Sequence, residues 1–182
     1  MPNKNGLILI TPTSVDKTGT GSTATVSANG SVEFSACATL SLNGVFSADY
    51  DNYMIVARTQ TNDNWAIQCR MRLSGTDNTA ASSYVTQYWS AGSTTVSAAR
   101  VTDTFGYIGA RGNTQRAGFV ATIYGPYLAQ PTALRSTVAD DASSATVTDY
   151  AFTHNVSTAY DGFTMYVTGT VSGRVAVYGM RK

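Results

Sequence analysis

Few residues in this chain have types that do chemistry, and they stand apart from one another. His154 is the one histidine, Glu33 the one glutamate, and Cys37 and Cys69 the two cysteines. A serine or cysteine nucleophile needs a base held beside it. His154 follows Ala151-Phe152-Thr153 at the end of a predicted strand, and the chain holds no GxSxG elbow to partner it. It therefore reads as an ordinary surface or edge histidine. A glycosidase needs two carboxylates across a sugar, one of them desolvated. Glu33 sits on the polar side of the alternating run Ser31-Val32-Glu33-Phe34-Ser35-Ala36 and has no such setting. Asp49-Tyr50-Asp51-Asn52 and Asp140-Asp141 offer oxygen ligands to calcium, but without the loop spacing that makes the signal specific, and turns favour Asp anyway. Gly19-Thr20-Gly21-Ser22 lacks the lysine of a phosphate loop. No catalytic, metal-binding or cofactor-binding set emerges, and a polysaccharide hydrolase is the remote alternative.

The cysteines are too few and too far apart for a zinc ribbon or a CxxC pair. Cys69 lies in Trp65-Ala66-Ile67-Gln68-Cys69-Arg70-Met71-Arg72-Leu73, where alternation puts it on one face with Trp65, Ile67, Met71 and Leu73. That is the place of a small buried apolar residue. Free thiols are expected, with a bridge between neighbouring strands as the alternative.

The elements that position these residues are strands. A period of two recurs along the chain, at Trp65 to Leu73, at Phe163, Met165 and Val167, and at Val175 and Val177. Other predicted strands are 7–10, 31–36, 53–59, 83–90, 119–124, 133–139 and 145–154. Asn29-Gly30, Asn43-Gly44, Ser74-Gly75, Asp161-Gly162 and Ser172-Gly173 supply turns. Thr168 to Gly173 reads as the connection of a C-terminal hairpin. Pro2, Pro12, Pro126 and Pro131 fall outside the alternating runs, as a ladder requires. The expected fold is all-β, an antiparallel β-sandwich of jelly-roll type, with a closed barrel as the rival.

With 182 residues, one domain can use the whole length. Residues 11–30 are nearly devoid of large apolar side chains and cannot offset their own ordering entropy. The expected organisation is thus an extended N-terminal arm over 1–30 and a single sandwich over 31–182. The arm lies either on a neighbouring subunit, with Leu7, Ile8, Leu9, Ile10 and Val15 as assembly contacts, or back on its own domain.

A formal net charge of +1 with 13% charged residues leaves no footprint for a phosphate backbone, so nucleic acid is not an expected partner. Polarity comes instead from 27 Thr and 18 Ser beside three Lys, a near-neutral surface of the kind that associates. No stretch is long enough to span a bilayer, and Leu7 to Ile10 is too short for a signal-peptide core, so neither a membrane nor secretion by that route is expected. Eleven tyrosines and two tryptophans are many for so polar a chain. Those of the sandwich core aside, Tyr88, Trp89, Tyr107 and Tyr124 are the candidates for a ligand-facing groove.

The runs Ser41-Leu42-Asn43-Gly44-Val45-Phe46-Ser47-Ala48-Asp49-Tyr50-Asp51-Asn52-Tyr53 and Met71-Arg72-Leu73-Ser74-Gly75-Thr76-Asp77-Asn78, with the ending Tyr160-Asp161-Gly162-Phe163 through Tyr178-Gly179-Met180-Arg181-Lys182, resemble small virion structural proteins of tailed phages, cyanophages especially. The resemblance spans nearly the whole chain and rests on strand and turn sequences. It implies a β-sandwich, homo-oligomers with trimers favoured, and no cofactor. It also implies synthesis in the reducing cytoplasm of a host bacterium and a place on the outer surface of the virion. A tail fibre ordinarily carries a docking region or shaft before its head, and here the β domain begins close to Met1. That favours a non-enzymatic capsid decoration or cement protein, or a short appendage, with the major capsid protein or a tail component as partner. The alternative is a tail-fibre-type module that binds a host receptor or surface glycan.

Overall fold

The structure is a computed structural model that describes residues 6–62, 65–109, 116–140 and 145–181. Every regular element among them is a strand: β1 (Leu7–Ile10), β2 (Ser14–Thr18), β3 (Thr23–Val26), β4 (Val32–Asn43), β5 (Asn52–Thr61), β6 (Ile67–Leu73), β7 (Thr76–Asp77), β8 (Tyr84–Gly92), β9 (Thr95–Asp103), β10 (Gly106–Gly109), β11 (Arg116–Tyr124), β12 (Thr132–Asp140), β13 (Thr146–His154) and β14 (Gly162–Met180). All pair antiparallel, so the class expected from the period of two is the class adopted. The two layers belong to one hydrogen-bonded sheet that folds over on itself. Its main path runs β10-β6-β14-β5-β11-β12-β13-β8-β9, and β1, β2, β3, β4 and β7 attach beside it.

β14 makes the fold-over possible. Its first part, Gly162 to Tyr166, pairs with β6, and its second, Val171 to Met180, pairs with β5. Between them the ladder to β4 jumps, Tyr166 facing Thr39 but Val171 facing Cys37. The extra residues are held by Asn62, whose Oδ1 accepts the Thr170 amide at 2.6 Å. A strand that passes between layers through such a bulge turns a sheet corner. The hairpin predicted at Thr168 to Gly173 is therefore replaced by one strand. Val171 is fully buried and Gly173 pairs with β4 on one side and β5 on the other, which leaves no backbone for self-pairing.

The smaller layer lies over β11, β12, β13 and β8. Ser136 Oγ on β12 donates to the Ile108 carbonyl of β10 at 2.6 Å, and a Cβ on Gly106 would stand 2.3 Å from the Phe152 ring. Between the layers Tyr53, Tyr84, Phe163, Leu40, Ile55, Ile67, Met71 and Ile123 are shut off from solvent. Each such side chain contributes about 1.5–3 kcal/mol. Alternation placed Ile67, Cys69 and Met71 correctly, but Trp65 and Leu73 at the two ends of that run are exposed.

The segment before Ser31 takes strand positions on its own chain. Leu7, Ile8, Leu9 and Ile10 pair with Met180 to Val177, β2 pairs with Asn43 to Thr39, and β3 pairs with Ser35 to Val32. Ile10 and Val15 also pack against the core. These pairings place Leu7, Ile8, Leu9, Ile10 and Val15 on β14 and β4 of the same chain, as in the second of the two expected places for the segment. A polar clamp adds to the ladder that holds β2. Arg72, on β6, reaches Asp16 Oδ2 at 3.1 Å, Asn43 Oδ1 at 2.7 Å and Asp77 Oδ1 at 2.5 Å.

Candidate functional site

The broad layer turns one face outward, and its composition follows from register, because residues opposite one another in a ladder project to the same side. One row across it reads Trp89, Asp149, Thr137, Val120, Val56. A second reads Val96, Ala91, Val147, Ala139, Gly118, Arg58, Arg174, Glu33. Trp89, Val96, Val120, Tyr124 and Val147 are exposed large apolar side chains on this one surface.

Alanines make shallow depressions in it. Trp89, Gln87, Arg135 and Asp149 border one over Ala98 and Ala151; Tyr124, Gln87, Arg100 and Arg135 border the next over Ala133 and Ala151. Polar contacts link the side chains around them: Arg135 pairs with Asp149 at 3.2 Å, Thr137 Oγ1 donates to Asp149 at 2.6 Å, and Gln87 Nε2 donates to the Ala99 carbonyl at 3.0 Å. Of the four aromatics expected at a groove, Trp89 and Tyr124 thus face solvent on adjoining depressions. Tyr88 and Tyr107 do not. They turn inward against the core, edge-on to one another with centroids 6.2 Å apart, and both approach Tyr150. Tyr88 directly precedes Trp89 on β8, and adjacent strand residues point to opposite faces.

At the other end of the face the chemistry becomes cationic. Arg58 on β5 stands directly opposite Arg174 on β14, and Arg116 on β11 lines the same groove, with Thr23, Thr25, Glu33, Ser35 and Ser172 around them. Like charges directly opposite in a ladder cost stability. Glu33 offsets this only weakly, at 4.0 Å from Arg174 with both side chains half exposed or more. The groove can hold an anion between guanidinium forks and hydroxyls. Sequence reading passed over it because its arginines come from three distant strands; the signal was present in the polar side of the alternation at Arg58 and Arg174.

His154 is a core residue and not the surface histidine expected from its place at a strand end. Its ring stacks on Tyr84 with centroids 4.0 Å apart, and Nε2 lies 2.6 Å from the Tyr160 hydroxyl. Asn78 holds the Tyr160 hydroxyl: its Oδ1 accepts from the Ala80 amide, so its Nδ2 donates to the Tyr160 oxygen at 2.9 Å. The Tyr160 oxygen thus lies between the Asn78 amide and the His154 ring, with Thr158 as a further side-chain partner. Nδ1 is buried without a hydrogen-bond partner. Burial lowers the pKa of His154 to about 4, the Ser83 carbonyl opposing the shift. A neutral histidine with Nε2 occupied is a packing element here.

Cys37 and Cys69 are buried and unbonded. Burial raises both thiol pKa values, that of Cys69 far above its ordinary value. Among the described residues no three His, Cys, Asp or Glu side chains converge as metal ligands would. Asp49 is engaged with Ser47, Oγ to Oδ2 at 3.2 Å, and Asp141 lies outside the described residues. No helix among them is long and apolar enough to cross a membrane. No protein-family model matches this chain, and no curated protein or solved structure shows significant similarity to it.

Proposed function

We propose that this chain is a non-enzymatic structural protein on the exterior of a phage particle, a capsid decoration or cement protein or a short appendage, that works by burying surface. The observation that carries the reading is the broad outward face just described. It is a rigid sheet with exposed Trp89, Val96, Val120, Tyr124 and Val147 and small residues between them. Such a face offers area at little entropic cost, and stable contacts need about 1,200–2,000 Å² in total. The resemblance of the strand and turn sequences to virion proteins supports the same reading, and homo-oligomers, trimers among them, fit a protein repeated by lattice symmetry. The test is to image intact particles and to heat particles made without the protein. Copies on the head lattice and earlier loss of genome on heating are expected; density at the tail alone would move the protein to the second reading.

The second reading is a receptor- or glycan-binding module, and Arg58, Arg116 and Arg174 favour it. Three guanidinium groups beside hydroxyls suit an acidic saccharide. Purified protein would then block adsorption of the phage to its host, and Arg58→Ala with Arg174→Ala would abolish the block.

A further inference from the structure

The sheet has several strands with a partner on one side only, and they differ sharply. β1 and β3 have four residues, β2 five, β7 two and β10 four with a broken register. Short or irregular edges are the ordinary protection against edge-to-edge pairing. β9 has none of that protection. It runs nine residues, Thr-Val-Ser-Ala-Ala-Arg-Val-Thr-Asp, in unbroken register with β8, and holds no proline, glycine or lysine. No described strand pairs with its other edge.

The polar groups it offers are defined. Gly92 faces Thr95 across a two-residue turn, so this closing pair must exchange both ladder bonds. Alternation then directs the amides and carbonyls of Val96, Ala98, Arg100 and Thr102 away from β8. We infer that β9 pairs antiparallel with β9 of a second copy of this chain about a two-fold axis at Ala99, so that the sheet runs on from one subunit into the next.

The choice of occupant and register comes from the residues. Outward-facing groups must meet outward-facing groups, which allows only a few symmetric registers. The one centred on Arg100 sets two guanidinium groups opposite each other. The one centred on Ala99 pairs all nine residues, with Ala98 facing the partner's Arg100 and Val96 facing the partner's Thr102, and no like charges meet. Ala98 is also the small residue beside Trp89 in the ladder, so the partner's Arg100 has a clear lane across it to the Trp89 indole, in the depression that Asp149 borders. An arginine over an indole is a favourable pair, made twice by symmetry. The inference does not depend on the virion reading, and a two-fold edge contact can coexist with a threefold contact elsewhere.

The experiment uses the full chain. Sedimentation equilibrium at micromolar concentration is expected to return an even multiple of the 19.2 kDa subunit, and a monomer overturns the inference. Residues at the axis form a non-hydrogen-bonded pair with Cα atoms about 4.5 Å apart, close enough for a disulfide. Ala99→Cys is therefore expected to cross-link into dimers under mild oxidation and Ser97→Cys is not; the reverse pattern overturns the register. Ala98→Pro removes an outward donor without touching the ladder to β8, and is expected to halve the mass with an unchanged far-ultraviolet spectrum. Should that variant fail to fold, Val96→Lys with Thr102→Lys halves the mass by placing lysines opposite each other, and Val96→Lys with Thr102→Glu restores it. Dimers that persist through the lysine pair overturn the inference as well.

Discussion

Arg72 Nη2 lies 3.1 Å from Asp16 Oδ2, and the same guanidinium holds Asp77 and Asn43, so one largely buried cation joins β2, β4, β6 and β7. Its two carboxylates are not equivalent. Asp16 is mostly exposed and Asp77 mostly covered. Asp16→Ala is expected to cost about 0.5–1 kcal/mol, as a half-exposed ion pair does. Arg72→Ala leaves Asp77 without its cation and is expected to cost about 3 kcal/mol. Urea unfolding reads both, and amide exchange over 14–18 accelerates in either variant if the clamp is what holds β2.

Gly173 marks where β14 passes between its two neighbours. A Cβ there would stand 2.1 Å from the Arg58 carbonyl oxygen, and one on Gly162 would stand 2.2 Å from that of Leu42. Both obstacles are ladder backbone, which cannot swing aside. Gly173→Ala and Gly162→Ala are each expected to cost about 3 kcal/mol or more, at the upper end of single-substitution effects. Gly75, at φ +80° with open space around it, is the control: Gly75→Ala is expected to cost about 1 kcal/mol from backbone conformation alone. Thermal unfolding of the three variants, which should rank Gly75→Ala mildest, checks the difference.

The contrast between β14 and β2 shows what the sequence made legible. Alternating apolar residues announce a half-buried strand, so the segments around Ile67, Phe119, Leu134 and Phe152 read correctly from pattern. β2, β3 and most of β9 bury little, so hydrophobic period carries no trace of them. They are strands because ladder bonds fix them, to β4 for β2 and β3 and to β8 for β9, and β2 has the Arg72 clamp as well, from a strand some fifty residues further along the chain. Gly169 and Gly173 gave a signal common to hairpins and bulges; only the positions of β4 and β5 decide between the two. At the candidate face, Trp89 and Tyr124 were legible as aromatics, while the inward turn of Tyr88 depended on which face of β8 meets β10.

Thiol reactivity follows from burial. Cys37 and Cys69 are both held toward the protonated form, and the thiolate is the reactive species. In native buffer at neutral pH neither is expected to react with an aromatic disulfide reagent on the timescale of minutes, and both react in denaturant. Cys37 is the less enclosed electrostatically, with Lys17 favouring its thiolate, and should react first on partial unfolding. Mass spectrometry of the labelled peptides gives the order.

His154 sets an acid limit on the fold. Its pKa falls from an ordinary 6.5 to about 4 in the folded chain because burial disfavours the imidazolium. Between those values the unfolded chain binds a proton that the folded chain does not, so stability rises with pH there. The contribution is complete above about pH 6.5, is lost as pH falls toward 4, and changes no further below that value. At about 1.4 kcal/mol per pKa unit, the loss is about 3 kcal/mol. Protonation also makes Nε2 a donor toward a Tyr160 oxygen that already accepts from Asn78. Replacing His154 by Gln removes the titration, so urea midpoints measured from pH 7 to pH 4 should fall in the wild type and stay level in the variant. An equal fall in both would place the acid sensitivity in the carboxylates instead.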